Sequence, residues 1–168
     1  MITPKNITLE EVCTLTKGFE NSYDAVKYFY EKKGEKIEEM NPKKYVKWQS
    51  SLLDINNKIA KEKPVSITYQ GKEYNVDYDI INATWWQHAI YQNTASKQAK
   101  ENEVNVISLA LACYMSKIIT GSIKVKDIAD LEEGLLESED GLRLYNAGFF
   151  LLKKRRGLKR ILYNLLKK

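Results

Sequence analysis

Apolar positions along the chain recur mostly at helical spacing, with one stretch of strict alternation near the middle. Tyr45, Trp48, Leu52, Ile55 and Ile59 are spaced 3, 4, 3, 4, which puts them on one stripe of a helix opened by Asn41-Pro42, a cap followed by a first-turn proline. Pro64 is expected to close that helix. Upstream, Thr8 with Glu11 three residues later has capping-box spacing and predicts a short helix to about Lys17, stopped near Gly18. Asn21 or Ser22 should cap a second helix with Val26, Phe29 and Tyr30 inward and Gly34 as its stop.

The alternating stretch is VSITYQGKEYNVDYD, over residues 65–79. Placing Gln70-Gly71 as a two-residue turn pairs Ile67 with Tyr74 and Val65 with Val76 on one face. Ser66 then faces Asn75 and Thr68 faces Glu73 on the other, and Gly71 suits the positive φ of a type I′ turn. A lone hairpin is marginally stable, so its apolar face must lie on helices or extend a partner's sheet.

Thr84 and Gln87 repeat the capping-box spacing in NATWWQHAIYQN and predict a helix starting at Trp85. Trp85 and Trp86 would then point about 100° apart. Trp85, His88 and Ala89 share one face, and Trp86, Ala89, Ile90 and Asn93 the next. One indole is expected in the core and the other at its rim or at a partner surface. A polar segment, Thr94 to Asn102, should precede a buried helix that runs to Gly121. That run is too short and too polar for the ~20 apolar residues of a membrane span. A further helix carries Ile128, Leu131 and Leu135. Ser138 is expected to cap another, with Leu142, Tyr145, Phe149 and Leu152 inward.

The fold class is therefore mainly α: a single helical domain (1–152) with one inserted β-hairpin (about 65–78), followed by a basic C-terminal amphipathic helix (153–168). At 168 residues one domain suffices, and roughly 70% of the unfolded surface can be buried. The N-terminus MITPKN has no apolar core of the kind a signal peptide needs. Two Asn-x-Thr sequons carry no weight without such a leader. Cys13 and Cys113 lie in apolar segments without CxxC spacing and read as buried thiols.

Charge alters the picture at one place. KKRRGLKRILYNLLKK holds eight basic residues and no acidic one; since the whole chain carries +5, the rest sums to −3. Leu158, Ile161, Leu162 and Leu165 form an apolar stripe of a short helix following Gly157. Three readings compete for it. The leucines dock on the chain's own body or the segment docks on an acidic patch of another subunit; the cations meet nucleic-acid phosphates; or the helix lies on an anionic membrane.

Motifs for catalysis are missing: no GxxxxGK[ST], GxGxxG, GxSxG, HExxH or DxDxDG stretch occurs. His88 is the only histidine and has no companion ligands, so it reads as a packing or surface residue. Asp77 and Asp79 read as a turn in preference to a metal pair. Not an enzyme, with no catalytic residue, cofactor or metal, is the expectation. Partner binding is assigned to Trp85, Trp86, Lys153, Lys154, Arg155, Arg156, Lys159, Arg160, Lys167 and Lys168.

The order of elements also resembles a known family. ITLEEV is followed by YDAVKYFYEKKGEKIEEMNPKKYVKW, the hairpin ITYQGKEYNVDYDI, a T-x-x-Q helix start, and ISLALACYMSKIITGSIKVKDIADLEEGLLESEDGLRLYNAGFFLL. Over roughly residues 7–152 this resembles small morphogenesis proteins of tailed bacteriophages, of the tail-assembly-chaperone-like type, including versions in short-tailed crAss-like phages. The resemblance implies a non-enzymatic assembly or virion protein that binds portal, tail or ring components. It implies the host cytoplasm during assembly, with the virion as the alternative site, and no membrane. A homo-oligomer is compatible with it. Two departures stand out: the family pattern has small residues where this chain has Trp85-Trp86, and the basic helix after Leu152 looks added. Both make a role within the particle, near DNA or a portal or tail ring, comparable to a transient chaperone role. The alternative function is a small nucleic-acid-binding protein that uses the basic C-terminal helix.

Overall fold

The computed structural model describes residues 1–3, 5–80, 83–100 and 106–166; side chains are described except at 98–100 and 158–166. Among these residues seven α-helices and one hairpin follow in order. They are α1 (Leu9–Lys17), α2 (Ser22–Lys32), a 3-10 turn (Ile37–Glu39), α3 (Pro42–Lys58), β1 (Ser66–Tyr69), β2 (Lys72–Asn75), α4 (Trp85–Lys100), α5 (Val106–Thr120), α6 (Val125–Glu137) and α7 (Gly141–Leu166). The mainly helical fold with one inserted hairpin is the expected one.

Local chemistry sets the helix starts. Thr8 Oγ1 accepts the Glu11 N–H at 3.2 Å and Glu11 Oε2 accepts the Thr8 N–H at 3.0 Å, a complete capping box. Asn21 and Asn41 cap α2 and α3 through the N–H groups of Asp24 and Lys44. The hairpin has the expected register, with Ile67 opposite Tyr74 and Thr68 opposite Glu73. Gln70 and Gly71 both have positive φ (49° and 73°), as a type I′ turn demands.

Helix α5 is buried along Ile107–Ser116 and is the centre of the larger core. Around it pack α4, α6, α7 and the inner face of the hairpin through Ile67, Tyr69 and Val76. A second core joins Ile2 and Ile7 to Val26, Phe29, Trp48, Leu52 and Ile55 of α2 and α3. Helix α1 serves both, with Leu9 and Cys13 in the first and Val12 in the second.

Helix α7 ties the cores together. The Gly141 N–H donates to the Ile7 carbonyl at 2.8 Å, and the Leu9 N–H donates to the Ser138 carbonyl at 3.3 Å. A Cβ on Gly141 would stand 2.1 Å from the Thr8 carbonyl carbon, and one on Gly148 2.6 Å from the Ile107 carbonyl oxygen. Buried Asn146 accepts the Ala60 N–H at 2.7 Å and donates to the Lys58 carbonyl at 3.2 Å. It thus satisfies backbone groups that the end of α3 leaves open.

Several expectations are corrected. Helix α3 stops at Lys58, not at Pro64, because Asn146 takes its end and Ala60 turns the chain with φ of 56°. The segment from Thr94 continues α4 to Lys100, since Ala, Lys and Gln are strong helix formers; the rest of it lies outside the described residues. Ser138 does not cap the last helix: it is the C-cap of α6, and its hydroxyl donates to the Gly134 carbonyl at 2.8 Å. Helix α7 begins at Gly141 instead, with the Asp140 carbonyl accepting from Arg143 and Leu144. It runs unbroken through Gly157, so the basic segment up to Leu166 is its continuation, not a separate short helix. Helix propagation is cooperative, and one glycine costs only about 1 kcal/mol. The stripe Leu158, Ile161, Leu162 and Leu165 lies outside the described side chains. Val65, expected inward, is 78% exposed although its carbonyl still accepts the Val76 N–H at 2.8 Å. The pairing outlasts the covering helices by one residue.

Gly148→Ala should lower unfolding free energy by roughly 1–3 kcal/mol, because backbone, not a flexible side chain, must yield. Urea unfolding with a lower midpoint and an unchanged m-value is the expected result, and an unaltered midpoint would contradict the close crossing.

Candidate functional site

The start of α4 is fixed from both directions. Gln87 closes the capping box with Thr84: the Thr84 N–H donates to Gln87 Oε1 at 2.9 Å, and Thr84 Oγ1 accepts the Gln87 N–H at 3.3 Å. The same Gln87 side chain is buried and donates from Nε2 to the Cys113 carbonyl on α5 at 2.8 Å. One residue therefore caps α4 and seats it. Ile90 and Tyr91, at i+3 and i+4 from Gln87, complete the buried face.

That choice of face decides the tryptophans. Trp85 is 79% exposed and Trp86 50% exposed, so neither enters the core, in correction of the expectation that one would. They precede Gln87 by two and one positions and so point about 200° and 100° away from it. Two large indoles thus stand in solvent on a helix end whose backbone is held by three side-chain hydrogen bonds.

His88 is half-buried and joins a polar chain across three helices. Its Nδ1 lies 2.9 Å from the Tyr114 hydroxyl, and its ring also bonds the Ile80 main chain. A carbonyl can only accept, so the ring N–H faces Ile80 and Nδ1 accepts the Tyr114 O–H. Burial holds the ring's pKa below the ordinary 6.5, and the nearby Arg155 charge lowers it further. The Tyr114 hydroxyl is pushed up to about 12 by burial, against the Arg155 guanidinium that bonds to it.

Arg155 is the unexpected member. It was expected at a partner, yet its guanidinium stacks on Tyr91 with 4.3 Å from Cζ to the ring centroid. It also donates from Nη2 to Gln92 Oε1 at 2.7 Å and bonds the Tyr114 hydroxyl. Lys153, Lys154 and Arg156 on either side of it are exposed. The side chains of Lys159, Arg160, Lys167 and Lys168 lie outside the described residues. The sequence signal for Arg155 was present but weak: it follows Leu151 by four positions and Leu152 by three, on the buried stripe of α7.

Other chemistry is structural. Burial pushes the Cys113 thiol up to about 12, which suits packing and not nucleophilic attack. Asp77 Oδ1 accepts the Asp79 N–H at 2.8 Å, the expected turn. Among the described residues no group of three potential ligands converges on a metal position, and no single helix is long and apolar enough to cross a membrane. Arg143 of α7 covers the outer hairpin face, donating to Ser66 Oγ at 2.8 Å beside Glu73. No protein-family model, curated protein or solved structure matches this chain.

Trp85→Ala should leave unfolding free energy within about 0.5 kcal/mol of the parent, as an exposed position does. Gln87→Ala should cost roughly 1–3 kcal/mol, since a cap and a buried hydrogen bond go together. Thermal melts of the two variants check the contrast; equal effects would show that the indole packs inward.

Proposed function

We propose that this protein is a non-enzymatic component of tailed-bacteriophage assembly that works by binding another protein of the particle, a portal, tail or ring component. The observation that carries the binding reading is the pair of exposed indoles on a rigid helix start. Aromatic side chains supply much of the binding energy of protein interfaces, because large apolar area is buried at the cost of few rotors. A capped and seated helix end lowers that cost further, since its backbone is already ordered. The phage setting rests on the resemblance in element order over residues 7–152. On this reading the protein acts in the host cytoplasm during assembly, and a place in the virion fits equally.

The neighbouring cations give the surface its second character. Lys153, Lys154 and Arg156 are solvent-exposed on α7, whose Arg155 bonds to α4 two turns from the tryptophans. Such a surface suits a partner with an apolar cleft beside acidic residues. The same cations favour a second reading, phosphate contact with DNA, in which affinity depends on charge and not on the indoles.

Two variants separate the readings. Trp85→Ala combined with Trp86→Ala should fold normally and lose on the order of 10²-fold or more in partner affinity or particle occupancy, as removal of interface anchors does. Changing Lys153, Lys154 and Arg156 to Gln should weaken a protein contact modestly and increase its insensitivity to salt. If instead the charge variant abolishes duplex DNA binding that falls steeply with salt, and the tryptophan variant is inert, the nucleic-acid reading replaces this one.

A further inference from the structure

Beyond its buried leucines, helix α7 makes a polar contact with α4 and α5 through Arg155. Among the described side chains of α7, Leu151 and Leu152 are the last buried ones, and Arg155, one turn on, bonds to the body. The contact is a chain of hydrogen bonds: Ile80 carbonyl, His88 ring, Tyr114 hydroxyl, Arg155 guanidinium, Gln92 amide. Tyr91 closes it, stacked on Tyr114 at 6.2 Å between centroids and lying under Arg155.

We infer that the His88–Tyr114–Arg155 chain is a proton-sensitive latch, which holds α7 at Arg155 against the tryptophan-bearing helix α4 while His88 is neutral and releases it when His88 is protonated. With a neutral ring every step of the chain is satisfied: the ring N–H donates to Ile80, Nδ1 accepts from Tyr114, and the Tyr114 oxygen is left to accept from Arg155. A proton on Nδ1 turns that acceptor into a donor. The Tyr114 O–H then loses its His88 acceptor and must turn to water, and two cations face one hydroxyl oxygen in a partly buried setting. Moving Arg155 into water separates the two cations and leaves room for a water to accept from the Tyr114 O–H.

Two features make release feasible. The Arg155 Nε is buried and no acceptor faces it among the described residues, so the latched state already carries a desolvation cost. A cavity of about 100 Å³ lined by Asp79, Ile80, Gln87, Tyr114 and Lys117 adjoins the chain and lets water reach Tyr114. The groups facing His88 are the Ile80 carbonyl from the segment before α4, Tyr114 from α5 and Arg155 from α7, with Tyr91 and Gln92 next along α4. Asp77, Asp79 and Lys117 line the cavity, and the charge acting on the ring is that of Arg155.

The sign follows from the depressed pKa. A latched ring binds a proton less readily than a released one, so the latch is fully in force above the ordinary histidine pKa of about 6.5 and weakens as pH falls below it. Half-buried Glu132 and Asp140, whose carboxyls desolvation holds above their usual range, respond in the opposite sense, because the fold favours their protonated forms. The latch as such stands apart from the proposed binding partner; its use, in swinging the cations of α7 away from Trp85 and Trp86, rests on that proposal.

Amide hydrogen exchange on the whole protein tests it, corrected for the intrinsic pH dependence of exchange and run alongside an NMR titration of the His88 ring. Protection over Lys153–Leu166 should fall roughly tenfold between about pH 7.5 and the pH at which the ring is protonated, while α5 stays protected. His88→Gln retains one acceptor and one N–H donor and cannot titrate, so its protection should hold throughout. Arg155→Met keeps apolar contact with Tyr91 without charge or hydrogen bonds, and should show the low protection at every pH. Three results would overturn the latch: equal loss in the parent and His88→Gln, protection that stays flat after the ring has taken its proton, or a ring that remains neutral until the whole fold unfolds. None of these depends on a partner, so a failed latch and a failed interaction surface are told apart.

Discussion

The fold depends on how closely one helix can lie against its neighbours. Helix α7 touches the start of α1 at Gly141, crosses α5 at Gly148 and holds the end of α3 through Asn146. At both glycines a methyl group would stand within 2.6 Å of backbone. Close approach brings the small core around Trp48 and the larger one around α5 onto opposite flanks of the same helix. The buried Asn146 amide fixes where they meet, because its two bonds are directional where the surrounding contacts are not.

What the sequence made legible was the chemistry of chain reversal. Thr8 with Glu11, Asn41 with Pro42, Thr84 with Gln87, and Gln70-Gly71 each specify a local geometry through their own hydrogen bonds or allowed φ, and each holds in the structure. Long-range competition was not legible. Pro64 gave a local reason to end α3 late, but Asn146, from a helix 88 positions away, ended it at Lys58. Ser138 had the right type for a cap and was used at the other end of a helix, since α6 reached it first. Gly157 looked like a break, and the rest of α7 carried the helix through it.

The surface was half legible for a related reason. Of two adjacent indoles one was expected in the core, and an apolar count alone cannot say which face of α4 turns inward. Gln87 decides it, a polar residue buried because capping and a cross-helix bond both require it there. The basic run KKRR likewise reads as a uniform cluster, yet its third member packs among aromatic rings while the others face water. Charge sums cannot separate an arginine that makes contacts outward from one that anchors its own helix.

The bond between Gly141 and Ile7 has a meaning in time as well as space. The two residues leave the ribosome roughly 130 positions apart, so α1 is made long before the helix that completes its backbone bonding. Until then Ile2, Ile7 and Val12 can gather with α2 and α3, while Leu9 and Cys13 wait for partners that all come later in the chain, from the hairpin to α7. The smaller core, begun by the first helices, is thus closed only by Leu142 of α7.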